Sequence, residues 1–137
     1  MPVIDEQLIA AAEAVLNPQL IDQKHQEHAA NVGCAIEAAN GHIFTGTCVG
    51  GYLSICAEQS AVSNMLSKTG PAIRRLVAVW RDENDELYVL PPCGRCREFL
   101  RQISQDNLEA EIILGKDHAE KLKDLLPAYG WHAEKAR

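Results

Sequence analysis

The sequence predicts an α/β fold, one sheet with helices covering both faces, and three observations predict it. Apolar residues alternate between helical and strand spacing in the order helix, hairpin, helix, two strands, helix, strand, helix. A chain of 137 residues can bury one sizeable core but not two, so a single domain over residues 1–137 is expected. Both stretches that concentrate cysteine beside polar residues fall where a strand or loop gives way to a helix, the position where open α/β sheets carry their sites.

Residues 4–16, IDEQLIAAAEAVL, put Ile4, Leu8, Ala11, Ala12 and Val15 on one helical face, with Asp5 and Glu6 in the first turn. Asn17 and Pro18 end this helix, and the polar QKHQEH that follows reads as a surface connection carrying surface histidines. In NVGCAIEAANGHIFTG two apolar runs flank Asn40 and Gly41, the dipeptide suited to the positive dihedrals of a tight hairpin turn. The glycine-rich TCVGGYLS, residues 47–54, leads to a helix that opens in ICAEQSAV, runs through Asn64 and Leu66, and stops at Gly70 and Pro71. RRLVAVWRD reads as a strand, DENDE as a polar turn, and ELYVL as a strand ended by Pro91 and Pro92. CGRCREFLRQI resumes helical spacing through Phe99, Leu100 and Ile103. EAEIILG is a fifth strand, and HAEKLKDLL an amphipathic last helix that His118 caps or precedes and Pro127 ends.

The 13 Lys and Arg stand against 19 Asp and Glu, a formal net charge of -6, and no basic stripe follows the chain. A long nucleic acid is therefore not the expected substrate. MPVIDEQLIAAAEAVL lacks the basic flank and apolar run of an export signal, and no stretch is long enough to span a membrane, so a cytoplasmic location is expected. Five cysteines, Cys34, Cys48, Cys56, Cys93 and Cys96, make metal binding or thiol chemistry a better reading than a disulfide framework.

PPCGRC, residues 91–96, holds two cysteines that can face one point. Taken alone it reads equally as a redox dithiol or half a zinc site, with two unrelated buried thiols behind these. Cys56 as a third thiolate favours zinc, Zn2+, which takes four ligands and, with three from the protein, keeps one position for water. Helices that begin at the cysteines would turn their free amides toward the metal and favour thiolates. Zinc with three thiolates carries excess negative charge, and Arg95 is the best-placed cation to offset it. Glu58, one residue beyond the helix-start pair Cys56 and Ala57, can hydrogen-bond the water and carry a proton.

Cys56-Ala57-Glu58 followed by Pro92-Cys93-Gly94-Arg95-Cys96 resembles the [HC]xE and PCxxC pattern of the cytidine deaminase superfamily. The resemblance extends through VGCA, NGHIFTG, PCGRCREFL and LLP, and is closest to the small blasticidin-S deaminases. They share CGRC and a tail matching Leu125, Leu126, Pro127, Tyr129 and Trp131. It implies a three-layer α/β/α cytidine-deaminase-like fold with one mixed five-stranded sheet, in a homotetramer or homodimer whose subunits help wall each site. It also implies hydrolytic removal of ammonia from a small aminopyrimidine nucleoside or a related antibiotic. On that basis Cys56, Cys93 and Cys96 would bind zinc and Glu58 would shuttle protons. The carbonyl of Pro91 would receive the leaving amino group, and the amide of Ala57 would lie close to the ring.

The family's sugar-reading NVENAS segment corresponds here to TCVGGYLS, where Cys48 stands for the asparagine and Gly50 for the glutamate. Ala30 replaces an aromatic residue, leaving Tyr52, Tyr129 or Trp131 to supply a stacking face or to serve as packing. Losing both sugar-reading groups predicts a different substituent on the base. A noncatalytic zinc protein closed by a fourth ligand such as Cys48, or a redox dithiol at Cys93 and Cys96, are the rival readings; otherwise Cys34 and Cys48 are small buried or half-buried thiols.

Overall fold

The computed structural model describes residues 5–129 and 134–137. Strands β1 (Gln19–Asp22), β2 (Glu27–Ala38), β3 (Ile43–Val49), β4 (Ile73–Arg81), β5 (Leu87–Leu90), β6 (Glu111–Gly115) and β7 (His118–Lys121) form one mixed sheet, accompanied by helices α1 (Asp5–Ala14), α2 (Ala57–Leu66) and α3 (Gly94–Ile103). The antiparallel pair β2 and β4 lies at its centre, with Cys34 opposite Ala78 and Ile36 opposite Leu76. β3 closes the expected hairpin on the other edge of β2. β6 runs parallel to β4 after the crossover through α3, and β7 returns antiparallel to β6.

The two-residue period of β2 divides the core into two layers. Cys34, Ile36 and Ala38 pack with Ala57, Ala61, Val62 and Met65 of α2 and Leu100 of α3. Ala35 points the other way and joins Val77, Val79 and Ile113 beneath Leu8 and Ala12 of α1. Helices thus cover both faces of the sheet, α1 on one and α2 with α3 on the other. Arg75 ties α1 to the sheet, donating to Asp5 Oδ1 at 2.6 Å and to the buried Glu37 Oε1 at 3.2 Å.

α2 lies directly on the sheet because Gly46 of β3 has no side chain. A β-carbon there would stand 2.4 Å from the Ala61 nitrogen and 2.7 Å from the Ser60 carbonyl carbon. α3 is anchored at its far end by the 3₁₀ turn Gln105–Glu109. The buried Asn107 accepts from the Ile73 amide at 2.8 Å and donates to Leu100 O at 2.9 Å and Pro71 O at 3.1 Å.

Among the described residues the sheet has seven strands, not five. All five expected strands are present, and β1 and β7 are the additions. Residues 23–26 of the QKHQEH connection are the turn of a β1–β2 hairpin, where Asp22 pairs with His25 at 2.7 Å, and Glu27 and His28 already belong to β2. HAEKLKDLL is not a helix: His118 opens β7, and a single 3₁₀ turn, Leu122–Leu125, follows. Only Leu122 of that turn is buried, and the unsatisfied edge of β6 claims the preceding residues for its ladder. Ile4 lies outside the described residues.

Candidate active site

α2 and α3 both start immediately after a cysteine with extended backbone, Cys56 at φ -75°, ψ 152° and Cys93 at φ -68°, ψ 167°. Cys56 is fixed from both sides. Its amide donates to Gln59 Oε1 at 3.1 Å, a capping contact from one turn into the helix. The preceding residue, Ile55, exchanges two 2.9 Å backbone hydrogen bonds with Val49. Cys96 lies one turn into α3 and is fully buried. The two helix starts bring the sulfurs of Cys56, Cys93 and Cys96 within 4.8 Å of one another, a cluster that could hold a metal ion.

Three sulfurs at the positive ends of two helices make a soft, anion-favouring donor set, which suits zinc. Burial pushes the Cys93 thiol up, but the Cys96 amide and the neighbouring thiols outweigh it and hold Cys93 below the usual thiol range. Burial also raises Cys56 and Cys96, and the Glu58 carboxylate raises both further.

Glu58 is 5% exposed, so burial pushes its carboxyl above the ordinary range, against the downward pull of a hydrogen bond from the Cys96 thiol. The buried Cys34 thiol of β2 lies beneath it, raised by its own burial and then by the Glu58 charge. A carboxylate in low dielectric, touching the thiol cluster and raised toward neutrality, is equipped to take and release a proton.

Residues 5–111 match the family model of the cytidine and deoxycytidylate deaminase zinc-binding region. The chain belongs to this family. It is 27% identical over 130 residues to a blasticidin-S deaminase of Bacillus cereus, covering 90% of this chain and 89% of that one. The crystal structure of cytidine deaminase from Mycobacterium tuberculosis superposes with a TM-score of 0.72 at 28% identity, covering 94% of this chain and 100% of that one. The Bacillus anthracis cytidine deaminase shares the fold, with a TM-score of 0.68 at 23% identity over 93% and 89% of the two chains. The protein is therefore a zinc-dependent deaminase, a hydrolase, and zinc is the cofactor that its three-thiol cluster suits.

Other residues expected at the deaminase site are less closely gathered. Ala57 is the buried first residue of α2, and Pro91 is exposed in the segment between β5 and α3. Arg95 is exposed and reaches the Ser54 carbonyl at 3.4 Å. Cys48 stays outside the three-thiol cluster and donates to Asn31 Oδ1 at 3.1 Å. Tyr129 lies under the Arg101 guanidinium, 5.9 Å from its ring centroid, beside the last turn of α3. Trp131 lies outside the described residues.

Sequence reasoning missed Gln59 and Asn31, and set Glu27 aside with His25 and His28 as part of the exposed QKHQEH connection. Gln59 was findable, because a cap residue followed three positions later by glutamine is a capping pattern. The proximity of Asn31 and Glu27 to the 47–54 loop arises only in the folded sheet. No helix among the described residues is long and apolar enough to cross a membrane.

Proposed function

We propose that this single-domain enzyme removes the exocyclic amino group of a free aminopyrimidine nucleoside, or of a nucleoside-like antibiotic of the blasticidin S kind, releasing ammonia. The carrying observation is the buried Glu58 carboxylate against the cluster of Cys56, Cys93 and Cys96. The names of the relatives, a cytidine deaminase and a blasticidin-S deaminase, support the substrate class.

In this reading the three thiolates hold zinc, which supplies Lewis-acid activation of water when bound. Glu58 takes a proton from the attacking water and delivers it to the amino group as the ring C4–O bond forms and the C4–N bond breaks. The Pro91 carbonyl accepts a hydrogen bond from the departing amino group, and the free amide of Ala57 at the start of α2 faces the ring. Arg95 offsets the thiolate charge from the surface side.

The reading includes a homotetramer or homodimer in which Tyr129 and Trp131 serve a site of their own or a neighbouring subunit. Apolar side chains exposed at Val49, Tyr52, Leu53, Ile55 and Leu66 support association. It also includes a cytoplasmic location, supported by five free cysteines.

The test is zinc per chain together with ammonia release from cytidine, deoxycytidine, cytosine and blasticidin S. Glu58→Ala should keep its zinc and lose roughly 10²–10⁴-fold in kcat. Undiminished turnover by zinc-loaded Glu58→Ala would overturn the mechanism.

A further inference from the structure

We infer that Glu27 and Asn31, at the start of β2, determine which ring substituent this site accepts, presenting a carboxylate and a carboxamide beside positions 48 and 50. The inference rests on the deaminase reading above and adds to it the residues that choose the substrate.

The ladder pair Val49 and Ile55 is antiparallel, so the residues next to them, Cys48 and Cys56, stand opposite each other across the base of the loop. Cys48 Sγ donates to Asn31 Oδ1 at 3.1 Å. The Asn31 carboxamide thus contacts the residue across the ladder from Cys56. Its Nδ2 makes no hydrogen bond among the described residues and is free to donate.

Position 50 has no room for a side chain. The Gly50 amide donates to the His28 carbonyl at 2.8 Å. A β-carbon on Gly50 would stand 2.5 Å from that carbonyl oxygen and 3.0 Å from Glu27 Oε2. The space in which a side chain at 50 would begin is taken by the His28 carbonyl and then by the Glu27 carboxylate, which also accepts from the Gly51 amide at 3.0 Å. An ionised carboxylate has roughly four acceptor positions, so this bond leaves most of them open.

A local irregularity brings Asn31 there, while Glu27 meets the loop through the Gly51 amide. The β2–β3 register shifts between Ala29 and Gly33, so three residues of β2 face Cys48 alone, and Ala30 adopts φ 57° within the bulge. Such a bulge re-aims side chains that a regular strand would send to the opposite face. Two polar groups that the loop no longer carries at 48 and 50 are supplied from the adjacent strand.

An amide donor and a carboxylate acceptor together recognise a substituent rich in hydrogen-bond donors, either sugar hydroxyls or a cationic amine or guanidinium. The experiment compares zinc-loaded wild type with Asn31→Ala and Glu27→Gln on cytidine and on blasticidin S. Glu27→Gln keeps an acceptor for the Gly51 amide. On the substrate that wild type prefers, each variant should raise KM about tenfold or more, with kcat within about twofold and zinc per chain unchanged. Comparable losses assign hydroxyl recognition, and a much larger loss from Glu27→Gln assigns a cation. Unchanged KM in both variants, or losses that follow lost zinc or fall in kcat alone, would overturn the inference while leaving the deaminase reading intact. Wild type that releases no ammonia from cytidine, deoxycytidine, cytosine or blasticidin S overturns the proposed substrate class instead. Calorimetric titration with uridine then decides the inference: binding weakened about tenfold by the variants supports it, and binding absent or unchanged overturns it.

Discussion

Replacing Asn107 by alanine isolates the bond network that holds α3, which carries Cys96 of the thiol cluster, onto the sheet. The variant strips the buried Ile73 amide of its 2.8 Å acceptor and removes donors from Leu100 O and Pro71 O. An orphaned buried amide costs about 1–3 kcal/mol, and each carbonyl that loses one bond costs about 0.5–1.5 kcal/mol. Together these give a loss of about 2–6 kcal/mol. Urea unfolding of the zinc-saturated proteins, followed by circular dichroism, should show the midpoint fall with an unchanged slope. Asn107→Asp should be worse than alanine at neutral pH, because it keeps the acceptor for Ile73 but turns a carboxylate oxygen toward two carbonyls. A loss below about 1 kcal/mol for Asn107→Ala, or a milder effect for aspartate, would mean that these three bonds do not hold α3 to the sheet.

Gly46→Ala forces a β-carbon against the α2 backbone at 2.4 Å, about 1 Å inside ordinary contact. It should cost about 1–3 kcal/mol in urea unfolding and, by displacing Glu58, roughly 100-fold in kcat. Chelating zinc should lower the thermal midpoint; about 4 kcal/mol is lost if free zinc stood about a thousandfold above its Kd. Mass-spectrometric alkylation should then find Cys56, Cys93 and Cys96 newly labelled, with the exposed Cys93 first. Glu109 is held down to about 2 from 4.5 by Lys121 and Lys123, its partners at 2.8 and 2.9 Å. Its folded value is depressed, so its contribution is complete above the unfolded value and is lost as pH falls toward 2. The gap in thermal midpoint between wild type and Glu109→Gln should therefore close over that window, and the gap at neutral pH should shrink in high salt.

Five strands and three helices were legible because each buries a face and therefore writes a period into the sequence. Cys34, Ile36 and Ala38 against Ala35 in β2, and Leu8 with Ala12 in α1, are such signals. β1 and β7 bury almost nothing, and QLID and HAEK exist as strands through ladder bonds to β2 and β6. Their residues carry no pattern to read. Within HAEKLKDLL, leucines at helical spacing imitated an amphipathic helix. The thiol cluster was legible because CAE and PCGRC each fix local spacing at a helix start. The groups around the 47–54 loop were not, since a register shift in β2 decides where Asn31 points and only the folded sheet brings Glu27 to the Gly51 amide.

The Val49–Ile55 pair works as a clasp with a further use. Beyond it Tyr52 and Leu53 stand 97% and 93% exposed, so the tip of the lobe is nearly uncoupled from the core. Changing the length of such a tip is cheap, since doubling a loop costs only about 0.6 kcal/mol in closure entropy. Insertions and deletions between Gly51 and Ser54 can therefore accumulate while Cys56 keeps its register. This makes the lobe a natural cassette, a segment that can be exchanged in length and sequence without rebuilding the thiol cluster.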